Sequence, residues 1–371
     1  MDLQKIANVV RGLTADAVQK ANSGHPGAPL GLADIGTVLY FDFLRHNPAN
    51  ANWANRDRFV LSGGHGSMLL YSLLHLSGYQ LSLDDLKEFR QLGSATPGHP
   101  EYGDTDGVET TTGPLGQGIA NAVGMAIGEK LAATHFNKPG LEIVNHHTYV
   151  LAGDGDLMEG ISAEASSLAG HLGLGKLILI YDSNQITIEG STDLAFSESV
   201  KGRYEAYGWQ VLEVDGHNIA EFQKILVQAQ QNQTQPTLII AHTQIAKGAP
   251  TKVGTAASHG APLGADEVTG LKTALGLPVD QDFYVPDDLK NLPDLMTQKG
   301  QGLEAEWNQL FEQWTKENPQ LAAEWNTWLD GTLPNLDEIL TLFEPGSNMA
   351  TRAASGQALN AIARLVPNLV G

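Results

Sequence analysis

The sequence contains no cysteine, few basic residues and no long apolar run. Because none of its 371 residues is Cys, a disulfide framework, a thiolate metal site and a cysteine nucleophile are excluded. No stretch approaches the roughly 18 apolar residues of a membrane span. The first residues, from Met1 to Ala7, lack the basic and apolar segments of a secretory signal. These absences predict a soluble, cytoplasmic protein.

The shortage of basic residues restricts the ligands that the chain can bind. Lys and Arg number 22 against 42 Asp and Glu, which gives a net charge of −20. This balance argues against a nucleic-acid surface, which needs a basic patch. A site for an anion must overcome this field locally, with a metal ion, helix N-termini or a few cations. We interpret the excess acid as a solubilising surface.

Hydrophobic residues make up 42% of the chain, enough to bury a large core. Apolar runs alternate with segments of helical periodicity between about residues 58 and 245. This order predicts an α/β fold, a doubly wound parallel sheet with helices on both faces. Strands are predicted over residues 58–62, 148–152, 177–181, 210–214 and 237–241. Helices are predicted over residues 3–21, 30–44, 67–77, 157–172 and 219–230.

The composition changes along the chain and predicts four regions. Residues 1–265 form the α/β domain, and residues 266–331 a helical extension of it. Four of the six tryptophans lie between residues 301 and 345 at helical spacing, which favours helix packing over stacking on a cofactor. Residues 332–349 are predicted to be an extended linker. Residues 350–371 read as the start of a second domain, a helix followed by the first residues of a strand.

Polar residues follow two consecutive predicted strands. Gly153-Asp154-Gly155-Asp156 closes the first, and Asp182-Ser183-Asn184-Gln185 closes the second. Ligands of open α/β sheets bind in the crevice at the carboxyl ends of the strands. Hard oxygen ligands of this kind suit Mg²⁺ or Ca²⁺, and Mg²⁺ is usually shared with phosphates. The two segments therefore predict a site for a metal-bound diphosphate cofactor.

Four of the twelve histidines lie in loops beside Gly, Pro or Ser, namely His25, His65, His99 and His259. Histidine suits both donation to anionic oxygens and proton transfer near neutral pH. We interpret His217, in Asp215-Gly-His-Asn218, as part of a structural turn. The pair at positions 146 and 147 is predicted to lie on the surface. A zinc site is disfavoured, since the histidines lack ligand spacing on a shared helix.

Six segments combine these loops and strand ends, namely Ser23-Gly-His-Pro-Gly-Ala-Pro-Leu-Gly31, Asn55-Arg-Asp-Arg-Phe-Val-Leu-Ser62, Pro97-Gly-His-Pro-Glu101, Thr112-Gly-Pro-Leu-Gly-Gln-Gly118, Gly153-Asp-Gly-Asp-Leu-Met-Glu-Gly160 and Ser258-His-Gly-Ala-Pro-Leu-Gly264. Together these segments resemble the transketolase family, collinearly and nearly from end to end. The resemblance implies the family's fold and its cofactor, thiamine diphosphate, with Mg²⁺ or Ca²⁺. It also implies transfer of a two-carbon ketol unit from a ketose phosphate to an aldose phosphate.

The resemblance assigns roles to particular residues. The metal would be held by the side chains of Asp154 and Asn184 and the backbone carbonyl of Ile186. The residues that would contact the cofactor are His65, Gly113, Pro114, Leu115, Gly155, Asn184 and His259. The residues that would surround the reacting carbonyl and hydroxyl groups of the sugar and move protons are His25, His99 and His259. Arg352 would hold the sugar phosphate.

Family members continue past residue 371 into a pyrimidine-binding domain, which supplies a glutamate that activates the cofactor. The resemblance thus implies a diphosphate-binding half that needs a C-terminal part, in a homo-oligomer, and is nearly inactive alone. A dihydroxyacetone synthase-like enzyme and a non-catalytic half that binds cofactor or partner remain alternatives. A magnesium-dependent nucleotide-binding domain is disfavoured, because neither a P-loop nor a GxGxxG segment follows a strand.

Overall fold

The computed structural model describes residues 1–329, 334–346 and 348–370. The strands are β1 Arg58–Leu61, β2 Thr148–Gly153, β3 Leu177–Ser183, β4 Ile186–Thr187, β5 Gly190–Ser191, β6 Gln210–Asp215 and β7 Thr237–His242. The helices are α1 Leu3–Ala21, α2 Gly27–Val38, α3 Ser67–Ser77, α4 Leu83–Lys87, α5 Gln117–Phe136, α6 Asp154–Met158, α7 Gly160–Leu172, α8 Val200–Ala206, α9 Ile219–Gln231, α10 Ala265–Leu275, α11 Leu292–Glu317, α12 Pro319–Leu329, α13 Asp337–Leu340 and α14 Thr351–Leu365. A π-helical turn, Leu39–Phe43, extends α2.

Five strands form one parallel sheet in the order β1-β2-β3-β7-β6. The register pairs Gly153 at the end of β2 with Asp182 near the end of β3. All five strands of this sheet run in one direction, so their carboxyl ends, and the loops that follow them, lie at one edge of the sheet. The predicted doubly wound α/β fold is confirmed.

Helices cover the sheet on both faces, because the central strand is apolar along nearly its whole length. Side chains alternate across a strand, so Ile178 and Ile180 belong to one core cluster. Leu177 and Leu179 belong to the other. The first cluster includes residues of α1, α2, α3 and α9, and the second includes residues of α5, α7 and α8. A strand buried on both faces is typical of parallel sheets.

Several local predictions were wrong. The predicted helix over residues 157–172 is two helices, since Glu159 between α6 and α7 has extended backbone angles. His146 is buried and His147 half-buried, not on the surface, because their segment lies against Asn55 and Asp57. The predicted linker contains the short helix α13. Residues 367–370 form no strand. Residues 330–333, 347 and 371, which include parts of the predicted extension and linker, lie outside the described residues.

The chain divides into two compact units. One comprises Met1–Asn137 and Glu142–Asn308, and the other comprises Lys138–Leu141 and Gln309–Gly371. The four predicted domain boundaries stay predictions. In the second unit, Phe311 stacks on the buried Trp314, with ring centroids 5.6 Å apart, and both rings contact Trp325. This is the helix packing that the tryptophan spacing predicts. No helix within the described ranges is long and apolar enough to cross a membrane.

Candidate functional site

A cavity of about 460 Å³ lies in the first unit, at the carboxyl ends of β1, β2 and β3. Its size is that of a small-molecule or cofactor pocket. All but two of the predicted site residues line it. The predicted residues that line the cavity are His25, His65, His99, Gly113, Leu115, Asp154, Gly155, Asn184, Ile186 and His259. Pro114 lies between two of these residues but does not line the cavity. Arg352 belongs to the second unit, and its role stays a prediction.

Asp154 follows the last residue of β2 and is 3% exposed. The hydroxyl of Tyr181, on the adjacent strand, donates to its Oδ1 at 2.6 Å. The other carboxylate oxygen, Oδ2, is buried and has no hydrogen-bond partner among the described residues. Burial raises the pKa of Asp154 to about 6, while the bond from Tyr181 and the nearby backbone N–H groups oppose that shift. A buried carboxylate with a bare oxygen is costly unless a cation compensates it.

Asn184 is held in one orientation by its neighbours. Its Nδ2 donates to Asp182 at 2.8 Å, and its Oδ1 accepts from the backbone N–H of Ile186 at 2.9 Å. Thr243, after β7, donates to the other oxygen of Asp182. Burial raises the pKa of Asp182 to about 7, and the nearby charge of Asp154 adds to the shift. The amide oxygen of Asn184 keeps one lone pair for another ligand.

The donor set fits a hard divalent cation. Within residues 1–329, 334–346 and 348–370, no group of three or more His, Cys, Asp or Glu is placed to hold a metal. The predicted set does not need one, because it combines one carboxylate with two neutral oxygens, from Asn184 and the backbone of Ile186. Mg²⁺ is commonly held by one or two carboxylates together with phosphate oxygens. The bare oxygen of Asp154 is the structural sign of this fit.

The four predicted histidines converge from four separate loops. The ring centroid of His25 lies 5.2 Å from that of His65, 6.3 Å from that of His99 and 5.7 Å from that of His259. His65 and His259 stack with centroids 5.0 Å apart. His25 and His259 are 234 positions apart in the sequence. Only folding brings them together.

Burial keeps these imidazoles neutral at physiological pH. It lowers the pKa of His65 to about 3 and that of His25 to about 4. Arg90 adds to the shift of His25, and neighbouring histidines add to both shifts. The pKa values of His99 and His259 are also lowered, chiefly by burial. A neutral imidazole carries one donor and one acceptor nitrogen. The cluster can therefore donate to anionic or hydroxyl oxygens and accept protons from them.

Asp156 connects the loops around the cavity, a role that the sequence analysis did not find. It is 1% exposed. Its oxygens accept from the hydroxyl of Ser62 at 2.7 Å and from the backbone N–H groups of Gly116 at 2.9 Å and Gly153 at 3.0 Å. The signal was present, since Asp156 is the second carboxylate of the glycine-rich segment.

Arg90 is a second residue that was missed. It adopts a left-handed backbone conformation, with φ +62°. Its Nη1 donates to Ser23 at 2.9 Å, and its Nη2 lies 3.3 Å from Nδ1 of His25. No local sequence signal marks this arginine, because α4 and the loop after it show only an ordinary amphipathic turn.

The amino-acid sequence of the chain is similar to those of known proteins. Residues 3–334 match the family model described as the thiamine diphosphate binding domain of transketolase. The chain is 54% identical over 365 residues to the transketolase of Geobacillus stearothermophilus. This alignment covers 98% of the chain and 55% of that relative. It is 50% identical over 371 residues to the transketolase of Bacillus subtilis, covering 99% of the chain and 56% of that relative.

Solved structures show the same likeness. The crystal structure of a Pichia stipitis transketolase in complex with sedoheptulose-7-phosphate superposes with a TM-score of 0.93 at 47% identity, covering 98% of the chain and 54% of that protein. The transketolase of Campylobacter jejuni superposes with a TM-score of 0.90 at 50% identity, over 98% and 55% of the two chains. The chain spans about half the length of the relatives it matches.

Proposed function

Because the chain belongs to the transketolase family, we propose that it binds the diphosphate end of thiamine diphosphate in a ketol-transferring enzyme. The reaction would move a two-carbon ketol unit from a ketose phosphate to an aldose phosphate. The relatives are about twice as long as this chain, so the activity belongs to an assembly that includes their second half. A pyrimidine-binding domain, supplied by a C-terminal part or partner chain, completes the proposed site.

The metal side of the cavity would hold the diphosphate through a divalent cation, Mg²⁺ or Ca²⁺. Asp154 would contribute its bare carboxylate oxygen, Asn184 its amide oxygen and Ile186 its backbone carbonyl. Gly155 supports this role, because a residue without a side chain lets the backbone come close to a phosphate. His65 would donate to a phosphate oxygen, and Gly113, Pro114 and Leu115 would lie along the rings of the cofactor.

The histidine side would handle the sugar. Thiamine diphosphate, when bound, supplies the nucleophilic carbon that allows the carbon–carbon bond of a ketose to break. His25, His99 and His259 would donate to the carbonyl and hydroxyl oxygens of the sugar and take up the protons that those groups release. Neutral imidazoles suit both tasks, since each carries a donor and an acceptor. Arg352 would bind the terminal phosphate of the sugar.

One observation supports the proposal most strongly. Four histidine rings from four loops share one cavity with a buried carboxylate whose Oδ2 lacks a partner in the part of the chain that the structure describes. Core packing alone does not call for such a set, because buried polar groups in native proteins are usually satisfied. A cation at Asp154 and an anion at the imidazoles would satisfy both sides at once.

Titration calorimetry tests the proposal directly. Thiamine diphosphate is added to the chain with Mg²⁺, with Ca²⁺ and with EDTA, and thiamine without the diphosphate serves as the matched ligand. We expect binding that requires both the metal and the diphosphate. Equal binding of thiamine and thiamine diphosphate, or binding unaffected by EDTA, would contradict the proposal. The sugar specificity is tested by adding a C-terminal half from a homologous transketolase and a panel of ketose and aldose phosphates.

A further inference from the structure

The segment between β7 and α10 forms part of the cavity wall and needs support. It carries Ile245 and His259, which both line the cavity. Ala246 adopts a left-handed conformation, with φ +55°. This conformation costs a residue with a Cβ of the order of 1 kcal/mol. Contacts elsewhere must therefore hold the segment in place.

One face of α2 provides the first of these contacts. Gly27, Gly31 and Asp34 are spaced by four and three residues, so they lie along one side of the helix. A Cβ at Gly27 would come within 2.6 Å of the carbonyl oxygen of Ser258, and one at Gly31 within 2.9 Å of that of Gln244. The segment therefore packs its backbone directly on this face of α2. Gly27 also accepts a hydrogen bond from the N–H of Ala246 at 2.9 Å.

Asp34 is the polar residue of this face and is 1% exposed. Its Oδ2 receives Arg11 Nη2 at 2.6 Å, His217 Nδ1 at 3.0 Å and Lys247 Nζ at 3.1 Å. Burial opposes the ionisation of Asp34, but His217, Arg11 and Lys247 hold its pKa well below the usual range. Lys247 belongs to the β7–α10 segment, so the carboxylate ties that segment to α1 and α2.

The hydrogen bonds of His217 fix its tautomer. The backbone N–H of Gln244 lies 2.9 Å from Nε2 of His217. A backbone N–H can only donate, so Nε2 must be the acceptor and the ring proton resides on Nδ1. Nδ1–H then donates to Asp34. The chain of bonds from Asp34 through His217 ends on Gln244, the residue before Ile245.

We propose that Asp34 and His217 are positioning residues that fix the separation of His25 and His259. The inference rests on the proposed function, in which these two histidines face the sugar. His25 lies two residues before Gly27, and His259 directly follows Ser258. The close approach of Gly27 to Ser258 therefore sets how near the two rings come. The Asp34–His217–Gln244 chain presses the segment onto α2 and keeps that approach closed.

Paired substitutions separate the two bonds of His217. In His217→Asn the amide nitrogen replaces Nδ1 and keeps the donor to Asp34, but the acceptor for Gln244 is lost. In His217→Gln the longer side chain restores an acceptor near the position of Nε2. His242→Asn is the matched control, since His242 ends β7, has a side chain that is 54% exposed, and lies 3.3 Å from the exposed Glu213. The whole chain is used throughout.

The first readout is the imidazole ¹⁵N spectrum of the chain without ligand. We expect His217 in the Nδ1–H form at pH 7.5. In His217→Asn the signals of His25 and His259 should move, while those of His46 and His75, bonded elsewhere in the core, should not. His217→Gln should return the signals toward their wild-type positions. An Nε2–H tautomer, or unmoved His25 and His259 signals in His217→Asn, would overturn the inference.

The second readout is affinity for thiamine diphosphate with Mg²⁺. Loss of an outer-shell partner typically weakens such a site, so we expect about a tenfold loss in His217→Asn, a smaller one in His217→Gln and none in His242→Asn. Equal losses in His217→Asn and His242→Asn would count against positioning. If wild type bound no thiamine diphosphate, the proposed function would fail, whereas the tautomer and the imidazole signals would still decide the positioning roles.

Discussion

The two sides of the cavity differ in the direction in which burial moves their ionisable groups. On the carboxylate side, burial raises the pKa of Asp154 to about 6 and that of Asp182 to about 7. On the histidine side, burial lowers the pKa of His25 and His65 to about 4 and 3. In both cases the neutral form is favoured, as desolvation requires. The carboxylate side is thus suited to gaining a cation, and the histidine side to gaining an anion or a hydroxyl group.

This contrast explains how a chain of net charge −20 can offer a site to a diphosphate. Among the polar groups that line the cavity, Asp154 and Asp182 lie at the ends of β2 and β3, and the imidazoles come from other loops. A metal ion on the first group and phosphate oxygens on the second would neutralise each other. The unfavourable overall charge then matters less than the local arrangement.

The largest effect is expected when the carboxylate side of the cavity loses Asp154. Asp154→Ala should abolish metal-dependent binding, with a loss of about 100-fold or more in thiamine diphosphate affinity, because one carboxylate supplies the only anionic ligand of the proposed set. Calorimetry with Mg²⁺ and with EDTA measures it. Asp193→Ala, at an exposed aspartate near β5, is the control and should bind as wild type does. Unchanged affinity in Asp154→Ala would remove the metal assignment.

A second change affects the backbone packing between Gly64 and the Thr112–Gly113 loop, which lies beneath the cavity. A Cβ at Gly64 would lie 2.6 Å from Thr112 Oγ1 and 2.7 Å from the backbone nitrogen of Gly113. Gly64→Ala should therefore displace the loop under the histidines and lower the free energy of unfolding by about 1–3 kcal/mol. Urea denaturation measures this change. Gly128→Ala is matched to it, because that helical glycine faces open space and should be neutral or stabilising. Equal stabilities of the two variants would show that the loop around Gly64 accommodates a methyl group without cost.

Removing one imidazole should weaken the binding of the diphosphate without changing the requirement for the metal. His65→Ala should weaken thiamine diphosphate binding about tenfold, the value of one good hydrogen bond to a charged group. The requirement for Mg²⁺ should remain, because the carboxylate side is untouched. His171→Ala, at an exposed histidine of α7, provides the comparison in the same calorimetric assay. Loss of the metal requirement in His65→Ala would mean that the two sides are not separate.

The smallest expected effect is on the pH dependence of stability. The pKa of His65 is about 3 when folded and 6.5 when free, so the unfolded chain binds the extra proton between these values. Stability contributed by the neutral ring is thus fully present above pH 6.5 and falls as the pH drops toward 3. Near pH 5.5 the loss is about 1 kcal/mol. Urea midpoints at pH 7.5 and 5.5 should differ less in His65→Asn than in wild type, and an equal difference would contradict the shift.

Much of the fold could be predicted from the sequence, because local patterns carry it. The bounds of α1 agree with the predicted helix over residues 3–21, since its apolar rhythm and the Asp2 cap are local signals. The break at Glu159 was missed because the only local signal is Gly160, and a single glycine is often tolerated inside a helical pattern. The burial of His146 depends on Asn55, 91 positions away.

The sequence by itself determined which residues end the strands and which histidines sit in loops, since both follow from periodicity and from Gly and Pro. It therefore determined the chemical types available to the site. Only the tertiary structure decided that Asp154 keeps an oxygen unpaired among the described residues, that three histidine rings lie within about 6 Å of His25, and that His217 contacts Asp34 and Gln244. The physical reason is that burial, pKa and tautomer depend on contacts between segments far apart in the chain, which no local pattern records.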